Sequence, residues 1–235
     1  MDNLNQEQKQ RLIEAGQAVV NMSHGIKNIV QSIRSGRDVM NEALNRNNLD
    51  VARRTWDILS QNIDRIQTLS LNMLKYSKDD PPHCQPCQFN HLVQTVLDTV
   101  QPLADRRGVT LTAALDEHLQ TASVDAEKMQ DVVMNLLINA IEAVPEKTGH
   151  IAVDTECDLE TGHLLLRISD NGPGIDDTRV IFEPFHTTKA SAGTGLGLTI
   201  AQKIIHQHGG TIDVQSRTEE GSIFTVCLPV QFQTD

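Results

Sequence analysis

Over the first third of the chain, apolar residues recur at Val20, Ile26, Ile29, Val30, Ile33 and Met40, and polar residues fill the positions between them. Steps of three, four and six residues follow the turn of an α-helix, so this pattern predicts one long helix over 6–46. The cluster Asn45-Arg46-Asn47-Asn48 is a turn signal, and Asp50 is the expected N-cap of the next helix. That second helix is predicted over 51–76, with Trp56, Leu59, Ile63, Ile66, Met73 and Leu74 as its apolar positions. Two long helices joined by a short connection make an antiparallel hairpin. One hairpin cannot cover both of its apolar stripes, and a homodimeric four-helix bundle is the economical way to do so.

The pattern changes near residue 80. No proline occurs before Pro81, and Asp79-Asp80-Pro81-Pro82 ends the second helix because proline disfavours helical geometry in the residue before it. A helix over 90–106 and a strand over 109–115 come next. Asp125 then caps a strongly apolar helix that runs to Val144, with strands over 150–157 and 164–169 after it. A glycine-bearing loop spans 171–195, a helix 196–207, and two last strands 211–216 and 222–229. Gly209-Gly210 and Glu220-Gly221 mark their turns. Short turns imply antiparallel neighbours, so the second part reads as an α/β sandwich rather than a doubly wound sheet. The expected organisation is a helical hairpin over 1–80, a linker over 81–88 and the sandwich over 89–235.

Composition narrows the function classes. The 235 residues suffice for two modest domains with real cores. The net charge of −11 argues against a general nucleic-acid binder. No apolar run reaches membrane-spanning length, and Met1–Gln10 lacks a signal-peptide core, so a cytoplasmic protein with no membrane segment is expected. Four cysteines do not make a disulfide scaffold. Cys84-Gln-Pro-Cys87, with His83 and His91 nearby, has the spacing of a zinc or redox pair, but a proline-rich linker with two thiols explains it as well. The charge is uneven: residues 1–80 carry 11 basic and 10 acidic side chains, residues 81–235 carry 9 and 21.

Four segments of the second part carry candidate chemistry. Asn135 and Asn139 lie one helical turn apart and share a face, where their amide oxygens suit a hard cation such as Mg²⁺. Asp170-Asn-Gly172-Pro-Gly174-Ile175 directly follows a strand. Its carboxylate can accept the exocyclic amino hydrogen of adenine, and its glycines permit close backbone approach. Ile181-Phe182-Glu183-Pro184-Phe185-His186-Thr187-Thr188-Lys189 offers two aromatic loop anchors and, in Lys189, a point charge for a phosphate. Gly193-Thr-Gly195-Leu196-Gly197-Leu opens a helix, whose N-terminal amides favour anions. It is neither the Rossmann fingerprint nor a Walker A loop. In the first helix His24, Lys27, Asn28 and Gln31 share one face, opposite the stripe of Ile26, Ile29, Val30 and Ile33. An exposed imidazole there can act as a nucleophile toward a γ-phosphoryl group.

In this order and spacing the four segments resemble the N, G1, F and G2 boxes of the GHKL, Bergerat-type ATP-binding fold in its histidine-kinase form. The resemblance covers about 89–229. It implies that Asp170 reads adenine, that Asn139 with Asn135 serves Mg²⁺, and that Gly172, Gly174, Gly193, Gly195 and Gly197 shape the pocket and lid, with Leu196 among them. Gyrase-like, Hsp90-like and MutL-like relatives carry a water-activating Glu where this chain has Asn135. A neutral amide is a poor general base, which favours transfer over hydrolysis.

The first part resembles the dimerisation and phosphotransfer hairpin of sensor kinases, whose motif is commonly His, acid, apolar, Arg or Lys, Thr or Asn, Pro. The chain matches at His24, Ile26, Lys27 and Asn28, and departs at Gly25 and Ile29. The absent acid normally assists the imidazole, and the absent proline predicts a straighter helix. The resemblance implies ATP-dependent autophosphorylation on His24, relay to an aspartate of a response-regulator receiver domain, and a role for Asn28 in regulator dephosphorylation. Two rivals are a GHKL protein-serine kinase of the anti-sigma type and an ATP-binding dimeric scaffold that transfers poorly.

Overall fold

The computed structural model describes residues 6–119, 121–158, 162–187 and 194–229, and for residues 6–19, 21, 22 and 24 the backbone alone. The chain forms two compact units: Met1–Lys78 with Glu183–Leu196, and Asp79–Phe182 with Gly197–Asp235.

The first unit is built on helices α1 (Gln6–Asn45) and α2 (Leu49–Ser77), packed as a hairpin. Asn48 caps α2, its side chain accepting from the Val51 amide at 3.2 Å. This displaces Asp50 from its expected capping role. Asp50 lies inside the first turn instead, where a negative charge suits the positive end of the helix dipole. Small residues let the two helices approach: Ala43 and Ala52 are buried, and a Cβ on Gly36 would lie 2.8 Å from Leu59 Cδ2. Two polar side chains are also buried here, and each is satisfied within its own helix. Thr55 Oγ1 donates to the Val51 carbonyl at 2.8 Å, and Asn62 Nδ2 donates to the Ile58 carbonyl at 2.7 Å.

The single buried stripe expected on the first helix is corrected. Ile29 and Ile33 are half-buried, whereas Ile26 and Val30 are exposed. The apolar arc of α1 is wider than one neighbouring helix can cover. The same holds on α2, where Trp56, Ile63, Ile66 and Leu74 are exposed and Leu69 is buried. Lys27, Asn28 and Gln31 are exposed, as their shared polar face requires.

The second unit contains β1 (Gln85–Cys87), α3 (Phe89–Arg107), β2 (Thr110–Leu115), β3 (Ala122–Val124), α4 (Ala126–Ala143), β4 (His150–Asp158), β5 (His163–Asp170), α5 (Gly197–Gln207), β6 (Thr211–Arg217) and β7 (Gly221–Pro229). Five strands form one sheet in the order β2-β4-β5-β7-β6, parallel only between β2 and β4. Alternation along the strands buries Ile151, Val153, Leu164, Leu166, Ile168, Phe224, Val226 and Leu228. This face packs against α3, α4 and α5, which meet it with Phe89, Met129, Leu137, Ile200 and Ile205 among others. Helices on one face of a mostly antiparallel sheet make the expected two-layer sandwich.

Two short strands add to the expected set. β1 and β3 pair antiparallel, with Gln85 opposite Val124 and Cys87 opposite Ala122. Three-residue strands carry no readable period, and here the partners lie far apart in sequence. Other contacts in the same unit hold the preceding segment. Lys128 Nζ donates to the Asp80 carbonyl at 2.6 Å, the His83 amide to Asp125 Oδ2 at 2.9 Å, and Gln207 Nε2 to Asp79 Oδ1 at 3.3 Å. Cys84 and Cys87 are free thiols, and among the described residues no three His, Cys, Asp or Glu side chains are grouped to hold a metal ion.

Candidate functional site

Helix α4 is the spine of the candidate site. Asp125 caps it, Oδ1 accepting from the Lys128 amide at 3.2 Å while Oδ2 takes the His83 amide. Burial works against ionisation of this carboxyl. The two amide donors and the charges of Lys128 and His208 outweigh it and hold the group below its ordinary range. It is therefore ionised near neutral pH and keeps the helix start in place. Met129, Val132, Val133, Leu136, Leu137, Ala140 and Ile141 lock one side of α4 into the core. Asn135 and Asn139 lie on its half-buried flank, one turn apart.

Two glycine-bearing segments meet this helix. At the start of α5, a Cβ on Gly197 would lie 3.2 Å from Asn135 Oδ1, so the α5 N-terminus sits directly against that amide. Thr199 in the first turn of α5 donates through Oγ1 to the Phe182 carbonyl at 3.0 Å and fixes the end of the preceding loop. At the other end of α4, a Cβ on Gly172 would lie 3.3 Å from the Ala143 carbonyl oxygen. The loop that begins at Asp170 therefore lies against the α4 C-terminus. Asp170 Oδ1 accepts the Gly172 amide at 2.8 Å. Asn171 anchors the loop to its neighbour, Oδ1 accepting from the His150 amide at 2.7 Å and Nδ2 donating to the Thr148 carbonyl at 3.0 Å. Gly174 has φ +75°, a conformation that glycine adopts freely.

Within the second unit the fold thus brings Gly197 against Asn135 and Gly172 against the C-terminal end of α4, with Asp170 bonded to Gly172 and Gly174 seated on Arg217 and Thr218. Within the first unit, Gly195 has φ +66° and its carbonyl accepts from the Phe185 amide at 2.8 Å, while Leu196 is fully buried. Asn72 Nδ2 donates to Thr194 Oγ1 at 3.2 Å in the same unit. Lys189 and Gly193 lie outside the described residues, and His24 is described only through its backbone in α1. Sequence reasoning passes over the supports of the Asp170 loop, above all Asn171, Ser216 and Thr218. A lone polar residue in a turn or strand gives no local sign of a partner dozens of residues away.

Residues 124–231 match the family described as histidine kinase-, DNA gyrase B-, and HSP90-like ATPase. The chain is 32% identical over 228 residues to the signal transduction histidine-protein kinase AtoS of Escherichia coli, covering 96% of this chain and 36% of that protein. It is 30% identical to the sensor histidine kinase ZraS of Salmonella typhimurium, covering 94% of this chain and 47% of that protein. The chain therefore spans between about a third and a half of these relatives' length. Among solved structures, the catalytic domain of histidine kinase ThkA is 31% identical with a TM-score of 0.56, and the match covers 63% of this chain and 95% of that one. ThkA in complex with the response regulator protein TrrA gives a TM-score of 0.76 at 26% identity, over 95% of this chain and 64% of that one. Among the described residues no helix is long and apolar enough to cross a membrane. With the candidate-site geometry around α4 and these likenesses beside it, the chain belongs to the histidine kinases.

Proposed function

We propose that the chain is the kinase core of a two-component sensor. It binds ATP with Mg²⁺, transfers the γ-phosphoryl group to His24, and passes that group to an aspartate on the receiver domain of a response regulator. The observation that carries this reading is the seating of Gly197 on Asn135 and of Gly172, bonded to Asp170, on the far end of the same helix, in a chain whose first helix bears His24. The contacts fit a nucleotide. The α5 N-terminus at Gly197 offers amides to phosphate oxygens, and the missing Cβ leaves room beside Asn135. The amide oxygens of Asn135 and Asn139 suit Mg²⁺, which would neutralise charge on the phosphates. In the transfer, an imidazole nitrogen of His24 bonds to the γ-phosphorus, the bond from that phosphorus to the β,γ-bridging oxygen breaks, and ADP leaves.

Lys27 and Asn28 flank His24 on an exposed face, open to a docking receiver. Asn28 orients water when the kinase dephosphorylates its regulator. The organisation proposed is a phosphotransfer hairpin over 1–80, a linker over 81–88 and an ATP-binding domain over 89–235, working in the cytoplasm. Support for the regulator partner comes from the ThkA–TrrA complex, and support for the nucleotide from the family matched by residues 124–231. The test is incubation with γ-labelled ATP, with and without candidate receiver domains. Acid-labile, alkali-stable label that moves to a receiver is the expected result. Tight nucleotide binding without label, or label on a partner serine, would overturn it.

The hairpin pairs with a second copy through its uncovered apolar faces. Ile63 is 53% and Trp56 59% exposed. Ile63 and Ile66 line a groove of about 400 Å³ with Gln67, Ser70 and Leu71. Ile63→Asp places a charge on each side of that interface, and it is expected to weaken self-association about 100-fold. Sedimentation velocity at micromolar concentration should show monomer for the variant and dimer for the parent.

Gly25 occupies the position of the usual acid, and a Cβ there meets nothing within 4 Å. Gly25→Glu is therefore expected to fold as the parent does and to raise the initial autophosphorylation rate about 100-fold, the low end of general-base contributions. An unchanged rate would mean that another group already serves the imidazole.

A further inference from the structure

We propose that Ser216 is a positioning residue for adenine recognition, closing the Asp170–Ile175 loop into a ring so that the Asp170 carboxylate is held in place. The proposal rests on the reading of Asp170 as the adenine-binding carboxylate.

The observations form a closed circuit. Asp170 is the last residue of β5 and pairs with Ser222 of β7, and Ser222 pairs with Ser216 of β6. One end of the loop is therefore two strands away from Ser216. The other end returns to it directly, because the Ile175 amide donates to Ser216 Oγ at 2.8 Å. The same hydroxyl donates to the Gly221 carbonyl at 2.8 Å and lies 3.0 Å from Ser222 Oγ. A serine hydroxyl has one donor and two acceptor sites. With its proton committed to Gly221, the Ser222 hydroxyl is the donor to it, and all three sites of Ser216 are filled.

The turn after Ser216 continues the grip. The Glu219 amide donates to the Pro173 carbonyl at 2.7 Å, and Thr218 Oγ1 donates to Asp176 Oδ1 at 2.8 Å. Gly174 lies so close to the turn that a Cβ on it would be 3.1 Å from Thr218 Cα. Of these supports only Ser216 bonds to the far end of the loop and to both residues that open β7. Its removal leaves the Ile175 amide without its partner and frees the loop to shift, although the Asp170 side chain itself is untouched.

The test compares the full chain with Ser216→Ala, Ser216→Thr and Asp170→Ala. Each is titrated calorimetrically with Mg·ADP and with Mg²⁺ and purine riboside 5′-diphosphate, which lacks only the 6-amino group. The parent should prefer ADP. Ser216→Ala should lose at least ten-fold in ADP affinity and most of that preference, and Ser216→Thr, which keeps the hydroxyl, should restore both to within about three-fold. A residue that merely supports the fold would weaken the two ligands equally and leave the preference intact, and that result, or an unchanged ADP affinity, overturns the proposal. If Ser216→Ala does not fold, Ser216→Cys keeps the size while losing the strong hydrogen bonds and is held to the same expectation. Asp170→Ala separates the two levels. Retained preference for ADP in that variant overturns the reading of the site and the proposal with it, whereas lost preference there with full preference in Ser216→Ala overturns the positioning role alone.

Discussion

His24→Gln is expected to abolish phosphoryl labelling of the chain, with a loss of at least about 1,000-fold, and to leave Mg·ADP affinity within two-fold. The chain has nine histidines, so acid-labile label alone does not name the acceptor, and the substitution does. Glutamine is a good helix former of similar length, so α1 is undisturbed, but it has no lone pair of comparable nucleophilicity. The neighbours at i+3 and i+4, Lys27 and Asn28, are exposed, and little consequence for folding is expected from the substitution. Phosphoamino-acid analysis and mass spectrometry of the labelled parent should place the label on the peptide containing His24. Label that persists in His24→Gln would remove the acceptor assignment while leaving the nucleotide site untouched.

Much of the architecture is legible because each element carries its own period. The predicted helix over 6–46 is α1 at Gln6–Asn45, and the helix capped by Asp125 is α4 at Ala126–Ala143. The strand patterns over 150–157 and 164–169 are the hairpin of β4 and β5, joined antiparallel as short connections require. What fails are statements about relations between elements. The stripe of α1 is legible as apolar, yet which part of it α2 covers depends on helix packing, and Ile26 and Val30 fall outside. Asn48 and Asp50 are both good capping residues, and the choice between them rests on where the turn closes.

The candidate site divides the same way. Its residue types are legible from chemistry: hard oxygen donors on one helical face, a carboxylate after a strand, glycines where a helix begins. Their mutual distances are not. Nothing local predicts that Gly197 lies against Asn135, or that Ser216 takes the Ile175 amide. Charge is the least informative feature. The acidic excess falls in residues 81–235, with 9 basic against 21 acidic side chains, although the proposed ligand is an anion. On the proposed reading attraction there would be local, from the α5 N-terminus and Mg²⁺, because a global excess of one sign does not set the potential inside a pocket.

Gly174→Ala should be strongly damaging to nucleotide binding, without removing any functional group. Two costs add at this position. The backbone has φ +75°, where a residue with a Cβ loses on the order of 1–2 kcal/mol. The added methyl also drives into the Arg217 carbonyl, and it would lie 2.7 Å from the carbonyl carbon. That obstacle is the backbone of β6, which pairs with β7 and cannot swing aside as a side chain could. The loop must give way instead, and Asp170 and Gly172 lie at its start, with Gly172 against the α4 C-terminus. A displacement of about 1 Å in a positioned group can cost about 100-fold, so Mg·ADP affinity is expected to fall by at least that factor in calorimetric titration. Gly25→Ala is the matched control. It makes the same chemical change where a Cβ meets nothing within 4 Å and the residue is already helical, so nucleotide affinity should not move. Equal affinities for Gly174→Ala and the control would show that the loop adapts freely, and that its close seating on the β6–β7 turn is not what holds the Asp170 carboxylate in place.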